Sequence, residues 1–240
     1  MTNDDFRWQL ESLLARGYRC VSLVDAVRNG RTRQRNAFAI TFDDGYRDNY
    51  LHAMPILKDL GLCATVFVTV DHIDTNRLYP WDEQEVDQWG GPADEDRSVT
   101  WEQLHEMRGT GIFSIGSHTS THPNLAEVDP ELANREVVQS KAALEEHLGE
   151  PVDLFCYPRG SLNRQVIRMA RQAGYRAAVV SEGAWPRSSF TLPRTPVYGT
   201  TSREWFRRRV GPAYQGLLAT GGLRYLQRAR RVINSRRSVL

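Results

Sequence analysis

Two adjacent carboxylates, Asp43 and Asp44, form the most chemically suggestive pair in the chain. They lie in Thr-Phe-Asp-Asp-Gly-Tyr (residues 41–46), directly after the apolar run 37–40, which predicts a buried strand. Proteins of the α/β class place their chemistry at the carboxyl edge of the sheet, so acids at this position suggest a functional site, with an ordinary Asp-Gly turn as the alternative. Adjacent strand residues point to opposite faces, so the two acids have different roles unless the turn swings them together.

A pair of histidines is the second suggestive feature. His118 and His122 lie in Ser-His-Thr-Ser-Thr-His-Pro (residues 117–123), after a predicted strand at residues 111–116. Two imidazoles at i and i+4 share one face of a helical turn, which is the spacing that a transition metal needs. Two polar loop histidines are the alternative. Pro123 stops any longer helix and so disfavours a plain surface helix.

Together these motifs resemble those of the polysaccharide deacetylases of carbohydrate esterase family 4. A third segment, Phe-Cys-Tyr-Pro-Arg-Gly (residues 155–160), is similar to a variant of that family's third motif. The resemblance covers roughly residues 6–197 and implies a single domain with a distorted (β/α)7 barrel. It also implies a hydrolase that removes N-acetyl groups from amino sugars.

The resemblance gives each polar group a role. Asp44, His118 and His122 would bind a divalent metal, with Zn expected first and Co, Ni, Fe or Mn accepting the same ligands. Three protein ligands leave positions open for water and the acetyl oxygen, which is typical of catalytic sites. Asp43 would be the general base, and the backbone N–H of Arg159 would help to hold the oxyanion.

Two positions depart from the family pattern. The arginine that usually holds the base aspartate is replaced by Cys156, and no histidine follows His147 to serve as the fifth-motif acid. We predict that Arg194, in the stretch that matches the fifth motif, orients Asp43; a surface arginine is the alternative. The acid that protonates the departing amine is left unassigned.

Three aromatic residues are candidates for substrate binding. Tyr157 is predicted either to line the pocket or to belong to the core, and Trp185 is predicted to line the acetyl pocket. Trp81 lies in the long acidic segment 71–97. Loops of this length are usually functional or disordered. The segment predicts either a wall that stacks on sugar rings or a solvated loop with its tryptophans packed on the body.

Alternating strand and helix patterns are expected to position these groups, which indicates a parallel sheet. Closure into a (β/α)7 barrel is implied only by the resemblance. Further strands are predicted at residues 64–70, 152–156 and 177–180, and a short strand or a docking segment begins at residues 21–23. Helices are predicted over residues 6–14, 50–60, 100–107, 130–148 and 166–174.

Length and composition indicate one α/β domain: 240 residues, 40% of them hydrophobic, suffice for a sizeable core. The sequence has no run of 18 apolar residues, and its acidic start does not resemble a secretory signal. Three widely spaced cysteines suggest free thiols. These features predict a cytoplasmic protein.

Charge divides the chain unevenly. Residues 203–240 carry ten arginines and one glutamate, a net charge of +9, which leaves −7 for the rest of a chain whose total is +2. We predict a catalytic domain over residues 1–200 and a basic tail over 201–240. Interleaved apolar residues suggest that the tail attaches to an anionic membrane at its inner face, with a solvated tail as the alternative. The acidic body argues against nucleic-acid binding.

Three functions fit the sequence. The first is a metal-dependent de-N-acetylase of an exopolysaccharide or oligosaccharide, with an N-acetylated glycan as its partner. The second is a hydrolase of cyclic amides or ureides from the same family, and the third is an inactive sugar-binding homologue. The presence of both aspartates and both histidines argues against the third function, whereas the missing fifth-motif histidine keeps it open.

Overall fold

Parallel strands in sequential order dominate the computed structural model, which describes residues 1–30, 36–83, 93–181 and 188–211. A short pair, β1 and β2, precedes a six-stranded parallel sheet in which β3 to β8 follow one another in space as they do in the chain. The strands are β1 (Arg19–Cys20), β2 (Ala37–Phe38), β3 (Ile40–Phe42), β4 (Ala64–Val68), β5 (Phe113–Ser117), β6 (Leu154–Cys156), β7 (Ala177–Val180) and β8 (Leu192–Pro193).

Helices connect most of these strands, and local sequence signals set their ends. The longest follows the predicted pattern: Asp129 caps it, a proline opens it, and Gly149 ends it in the left-handed conformation with φ 66°. The helices are α1 (Asn3–Ala15), α2 (Leu23–Arg28), α3 (Met54–Leu60), α4 (Trp101–Gly109), α5 (Pro130–Leu148), α6 (Arg164–Gln172) and α7 (Arg203–Arg209).

The sheet curls so that its two edges approach each other. Sequential parallel strands with intervening helices are the order of a (β/α) barrel and not of a doubly wound sheet. Directly after β8, Arg194 donates a hydrogen bond to Thr41 Oγ1 in β3, at 3.1 Å. The prediction of a single α/β domain with a distorted barrel is therefore confirmed as a curled parallel half-barrel.

One of the two alternatives for residues 21–23, a short strand, is not formed. The side chain of Ser22 accepts a hydrogen bond from the Asp25 N–H at 3.2 Å and caps α2. The β-branched neighbour Val21 suggested a strand, and the capping serine overrides that signal. Other strands are shorter than predicted; β4, for example, ends at Val68.

The first part of the predicted basic tail packs against the body. In α7, the Phe206 ring packs edge to face on the Trp8 ring of α1, with 6.0 Å between the ring centroids. The guanidinium carbons of Arg203 and Arg207 lie 4.8 and 5.0 Å from the centroid of the Trp8 ring. Residues 212–240 lie outside the described residues, so membrane attachment of the tail stays a prediction. Within the described ranges, none of the helices has the length and apolar character needed to cross a membrane.

Candidate active site

The two aspartates leave the end of β3 through a sharp turn. Asp44 has a left-handed backbone with φ 67°, and Gly45 follows with φ 83°. A Cβ on Gly45 would lie 2.8 Å from Val68 Cγ1, so the close approach of β4 requires glycine there. The Asp44 carbonyl accepts the Thr69 N–H at 3.3 Å. The turn therefore places both carboxylates at the carboxyl edge of the sheet.

The two histidines meet in a loop and not in the predicted helical turn. His118 follows β5, and Thr119 and His122 have positive φ values of 72° and 63°. Thr119 Oγ1 accepts the His122 N–H at 3.0 Å and fixes this conformation. The imidazole centroids lie 4.9 Å apart. The i, i+4 spacing correctly predicted that the two imidazoles lie close together. They do so through left-handed loop residues, however, and not through a helical turn.

Asp44 and the two histidines converge on one point. Asp44 Oδ1 lies 3.5 Å from His118 Nε2 and 3.4 Å from His122 Nε2. Ligands about 2.0–2.2 Å from one tetrahedral cation would be separated by roughly 3.4 Å. Asp44 Oδ1 is also buried and has no hydrogen-bond partner among the described residues. One hard oxygen and two imidazoles at these separations fit a divalent transition metal.

Electrostatics agree with a cation at this point. Burial raises the pKa of Asp44 to about 6 despite the attraction of His118, and the nearby Asp43 charge adds to the rise. Burial also lowers the pKa of His122 to about 3, with the neighbouring His118 contributing. The site thus contains a neutral imidazole at His122 and a carboxylate whose charged form is disfavoured by burial, and a dication would stabilise that charged form.

The ring of His118 is oriented from behind. Its Nδ1 lies 2.8 Å from the Cys156 carbonyl oxygen. Because a carbonyl only accepts, Nδ1 carries the proton, and Nε2 is the ring nitrogen that faces Asp44 and is left to bind a cation. A backbone partner of this kind fixes the tautomer of a metal-binding histidine.

Glu136 on α5 braces the histidine loop, and the sequence interpretation missed it. Its buried carboxylate accepts the N–H groups of Ser120 and Thr121 at 2.9 and 2.8 Å and the Thr121 hydroxyl at 2.7 Å. The available signal was an acid on the helix face that also carries Ala133 and Val137. Glu136 is therefore a positioning residue for the two imidazoles.

We expect Glu136→Gln to weaken divalent-cation binding by about 10-fold, because both loop N–H groups bond one oxygen and a neutral amide oxygen accepts them more weakly than a carboxylate oxygen does. Calorimetric titration of metal-free protein with Zn²⁺ measures the change. Glu146→Gln, an exposed position on the same helix, is the matched control and should bind like the parent. Equal affinity in both variants would contradict the bracing role.

Arg194 holds Asp43 through a two-pronged ion pair, with Nη1–Oδ1 at 2.6 Å and Nη2–Oδ2 at 2.7 Å. Burial alone would raise the pKa of Asp43, but the guanidinium outweighs it and holds that pKa at about 2. Cys156 Sγ lies 3.2 Å from Arg194 Nη2, and burial raises the pKa of this thiol. The ion pair with Asp43 is the contact that an orienting arginine requires, and the catalytic role of Arg194 is a proposal.

Trp81 forms a wall beside the histidines. The centroid of its ring lies 4.5 Å from that of His122 and 4.8 Å from that of Tyr79, on which it stacks. Its Nε1 donates a hydrogen bond to the Tyr46 hydroxyl at 2.7 Å. Tyr79 is fully buried, whereas Trp81 keeps part of its surface exposed. In the described part of the segment, Trp81 therefore packs on the body, and its stacking on a sugar ring stays a prediction.

The remaining aromatic predictions have different outcomes. Tyr157 is 1% exposed, and its hydroxyl donates to the Phe190 carbonyl at 3.1 Å, so its side chain belongs to the core. The prediction that it binds substrate is corrected accordingly. Trp185 lies outside the described residues.

Arg159 lies in a tight turn directly after β6. Its φ of 54° is left-handed, and the turn spans Pro158–Gly160. Its guanidinium carbon is 5.6 Å from the centre of the Trp81 ring. The turn therefore brings the Arg159 backbone to the edge of the sheet that carries the other site residues.

Comparison with known sequences matches the same region. A family model described as polysaccharide deacetylase matches residues 30–178. Bacillus subtilis (strain 168) YxkH, a provisional polysaccharide deacetylase, is 28% identical over 181 residues, which cover 74% of this chain and 57% of YxkH. The poly-beta-1,6-N-acetyl-D-glucosamine N-deacetylase of Staphylococcus epidermidis is 22% identical over 223 residues, with 85% of this chain and 72% of that protein covered. The chain thus spans little more than half the length of YxkH.

Comparison with solved structures matches the fold. The Streptococcus pyogenes deacetylase PplD, determined in complex with acetate, gives a TM-score of 0.69 at 25% identity. The superposition covers 88% of this chain and 87% of PplD. The likeness in fold therefore extends over most of both chains.

Proposed function

This chain belongs to the polysaccharide deacetylase family, and from that premise we propose that it hydrolyses N-acetyl groups of amino sugars in an exopolysaccharide or oligosaccharide with a bound divalent cation. The motif resemblance is confirmed by the family match over residues 30–178. The observation that carries the proposal is the convergence of Asp44, His118 and His122 next to a separate, arginine-bound Asp43.

Asp44 and the two imidazoles would hold the cation, which when bound polarises the acetyl carbonyl and acidifies a water. Asp43 would receive the proton of the attacking water. An ionised carboxylate has about four lone-pair sites, so Asp43 can bond both arms of Arg194 and still accept that proton. Its low pKa makes it a weak base in water, and exclusion of water by bound substrate would strengthen it.

The surroundings of the site support a glycan substrate. The partly exposed ring of Trp81 offers a flat face beside His122 for the apolar side of a sugar ring. We propose that the backbone N–H of Arg159, in the third motif, stabilises the oxyanion. Because the Staphylococcus epidermidis relative is named for poly-beta-1,6-N-acetyl-D-glucosamine, we propose polymers of this type as the first substrate to test.

We expect the protein to release acetate from β-1,6-linked N-acetylglucosamine oligomers, to lose this activity after chelation, and to regain it with Zn²⁺ or Co²⁺. Acetate is measured enzymatically across a panel that includes chitin oligomers and the cyclic ureide allantoin. Ring opening of allantoin without acetate release would favour the cyclic-amide alternative. A protein inactive on every substrate, yet still binding the oligomers, would indicate a sugar-binding module.

A further inference from the structure

A pair of cysteines lies near the amino end of β4, away from the candidate active site. Cys20 is the last residue of β1, and Cys63 directly precedes β4. Their sulfur atoms are 3.7 Å apart, and the Cys20 thiol also lies 3.2 Å from the Cys63 carbonyl oxygen. The candidate catalytic residues follow the carboxyl ends of the strands, whereas Cys63 is at an amino end. The two thiols thus form a cluster that the proposed hydrolysis does not use.

We propose that Cys20 and Cys63 form a peroxide-sensitive dithiol that closes to a disulfide. Both side chains are partly exposed, so a small oxidant can reach them. The third cysteine, Cys156, is fully buried beside Arg194 and is expected to be spared. This inference is independent of the proposed hydrolytic function.

The reaction requires one thiolate and one resolving thiol. The hydrogen bond from Cys20 lowers the pKa of Cys63 to about 7, so Cys63 is the nucleophile. Its sulfur attacks a peroxide oxygen, the O–O bond breaks, and Cys63 sulfenic acid and one water form. The Cys20 sulfur then attacks the sulfenic sulfur, forms the S–S bond and releases a second water. Two thiols and one hydrogen peroxide thus become one disulfide and two waters.

Closure of the bond has a measurable consequence. The two residues are 43 positions apart in the chain, so the disulfide would restrict a long loop in the unfolded state. We expect the melting temperature of the oxidised protein to exceed that of the reduced protein by roughly 5–10 °C. Closure requires the two sulfur atoms to approach from 3.7 Å to a bond length of about 2.05 Å.

The experiment treats the reduced full-length chain with stoichiometric hydrogen peroxide and counts thiols after denaturation. The expected result is a decrease from three thiols to one, a Cys20–Cys63 crosslinked peptide in the mass spectrum, and the rise in melting temperature. Cys20→Ser and Cys63→Ser should each abolish the crosslink and the rise. Three remaining thiols, a crosslink that includes Cys156, or crosslinking only between chains would overturn the proposal. Peptide mapping of the parent decides the outcome even if a variant fails to fold.

Discussion

Asp43→Asn is expected to lower the rate of deacetylation by about 10²- to 10⁴-fold, because an amide cannot accept the proton that a general base must take. Its affinity for Zn²⁺ should stay within a factor of a few, since Asp43 contacts Arg194 and not the point where Asp44, His118 and His122 converge. The measurements are single-turnover acetate release at saturating Zn²⁺ and calorimetric titration of the metal-free variant.

Asp44→Asn is the matched control, because it makes the same chemical change at the adjacent residue. Here the Zn²⁺ affinity should fall steeply, since the variant loses the negative ligand whose Oδ1 faces both imidazoles. Activity would then be lost through the missing cation and recovered in part at high Zn²⁺ concentration. If Asp43→Asn weakens Zn²⁺ binding as much as Asp44→Asn does, the division of roles between the two acids is wrong.

The bounds of the longest helix were predictable from the sequence, because capping residues act locally. Asp129 and Gly149 set the ends of α5 as expected. The curl of the sheet was not readable from periodicity, since it depends on contacts between distant strands such as Arg194 with Thr41. The family resemblance supplied that feature instead.

The candidate site was predicted in its residue types and not in its backbone. His118 and His122 converge because Thr119 and His122 itself adopt left-handed conformations, which neither residue type signals in advance. Glu136 was equally hidden, because an isolated acid in a helix usually faces solvent. Only the fold shows that its carboxylate turns inward to the loop at Ser120.

The replacement of the family's usual arginine by Cys156 becomes understandable in the structure. Cys156 Sγ lies 3.6 Å from Asp43 Oδ1, and the guanidinium of Arg194 fills the space beside both groups. We propose that Arg194, after β8, takes the role that the family resemblance gives to an arginine at position 156; the two positions are 38 residues apart, and their side chains lie 3.2 Å apart. A role for Arg194 could be hypothesised from the sequence. The sequence could not show that the Arg194 side chain reaches both Asp43 and Cys156.

Arg194→Met is expected to lower the deacetylation rate by about 10²-fold and to destabilise the fold by up to about 3 kcal/mol. The variant leaves Asp43 without its partner, and Asp43 retains 34% of its side-chain exposure, which keeps the cost at the low end of the range for buried pairs. Arg194→Lys should recover stability better than activity, because one ammonium cannot bond both carboxylate oxygens. Urea unfolding and acetate release separate the two effects.

A positional exchange tests whether the guanidinium acts on Asp43 in particular. In Arg194→Met with Cys156→Arg, the new side chain starts beside Asp43 and replaces the lost volume, so activity should rise above that of Arg194→Met alone. Combined with Asp43→Asn, by contrast, Arg194→Met should add little further loss, since two residues that act as a unit are not additive. Fully additive losses in that double variant would show that Arg194 supports the fold without positioning the base.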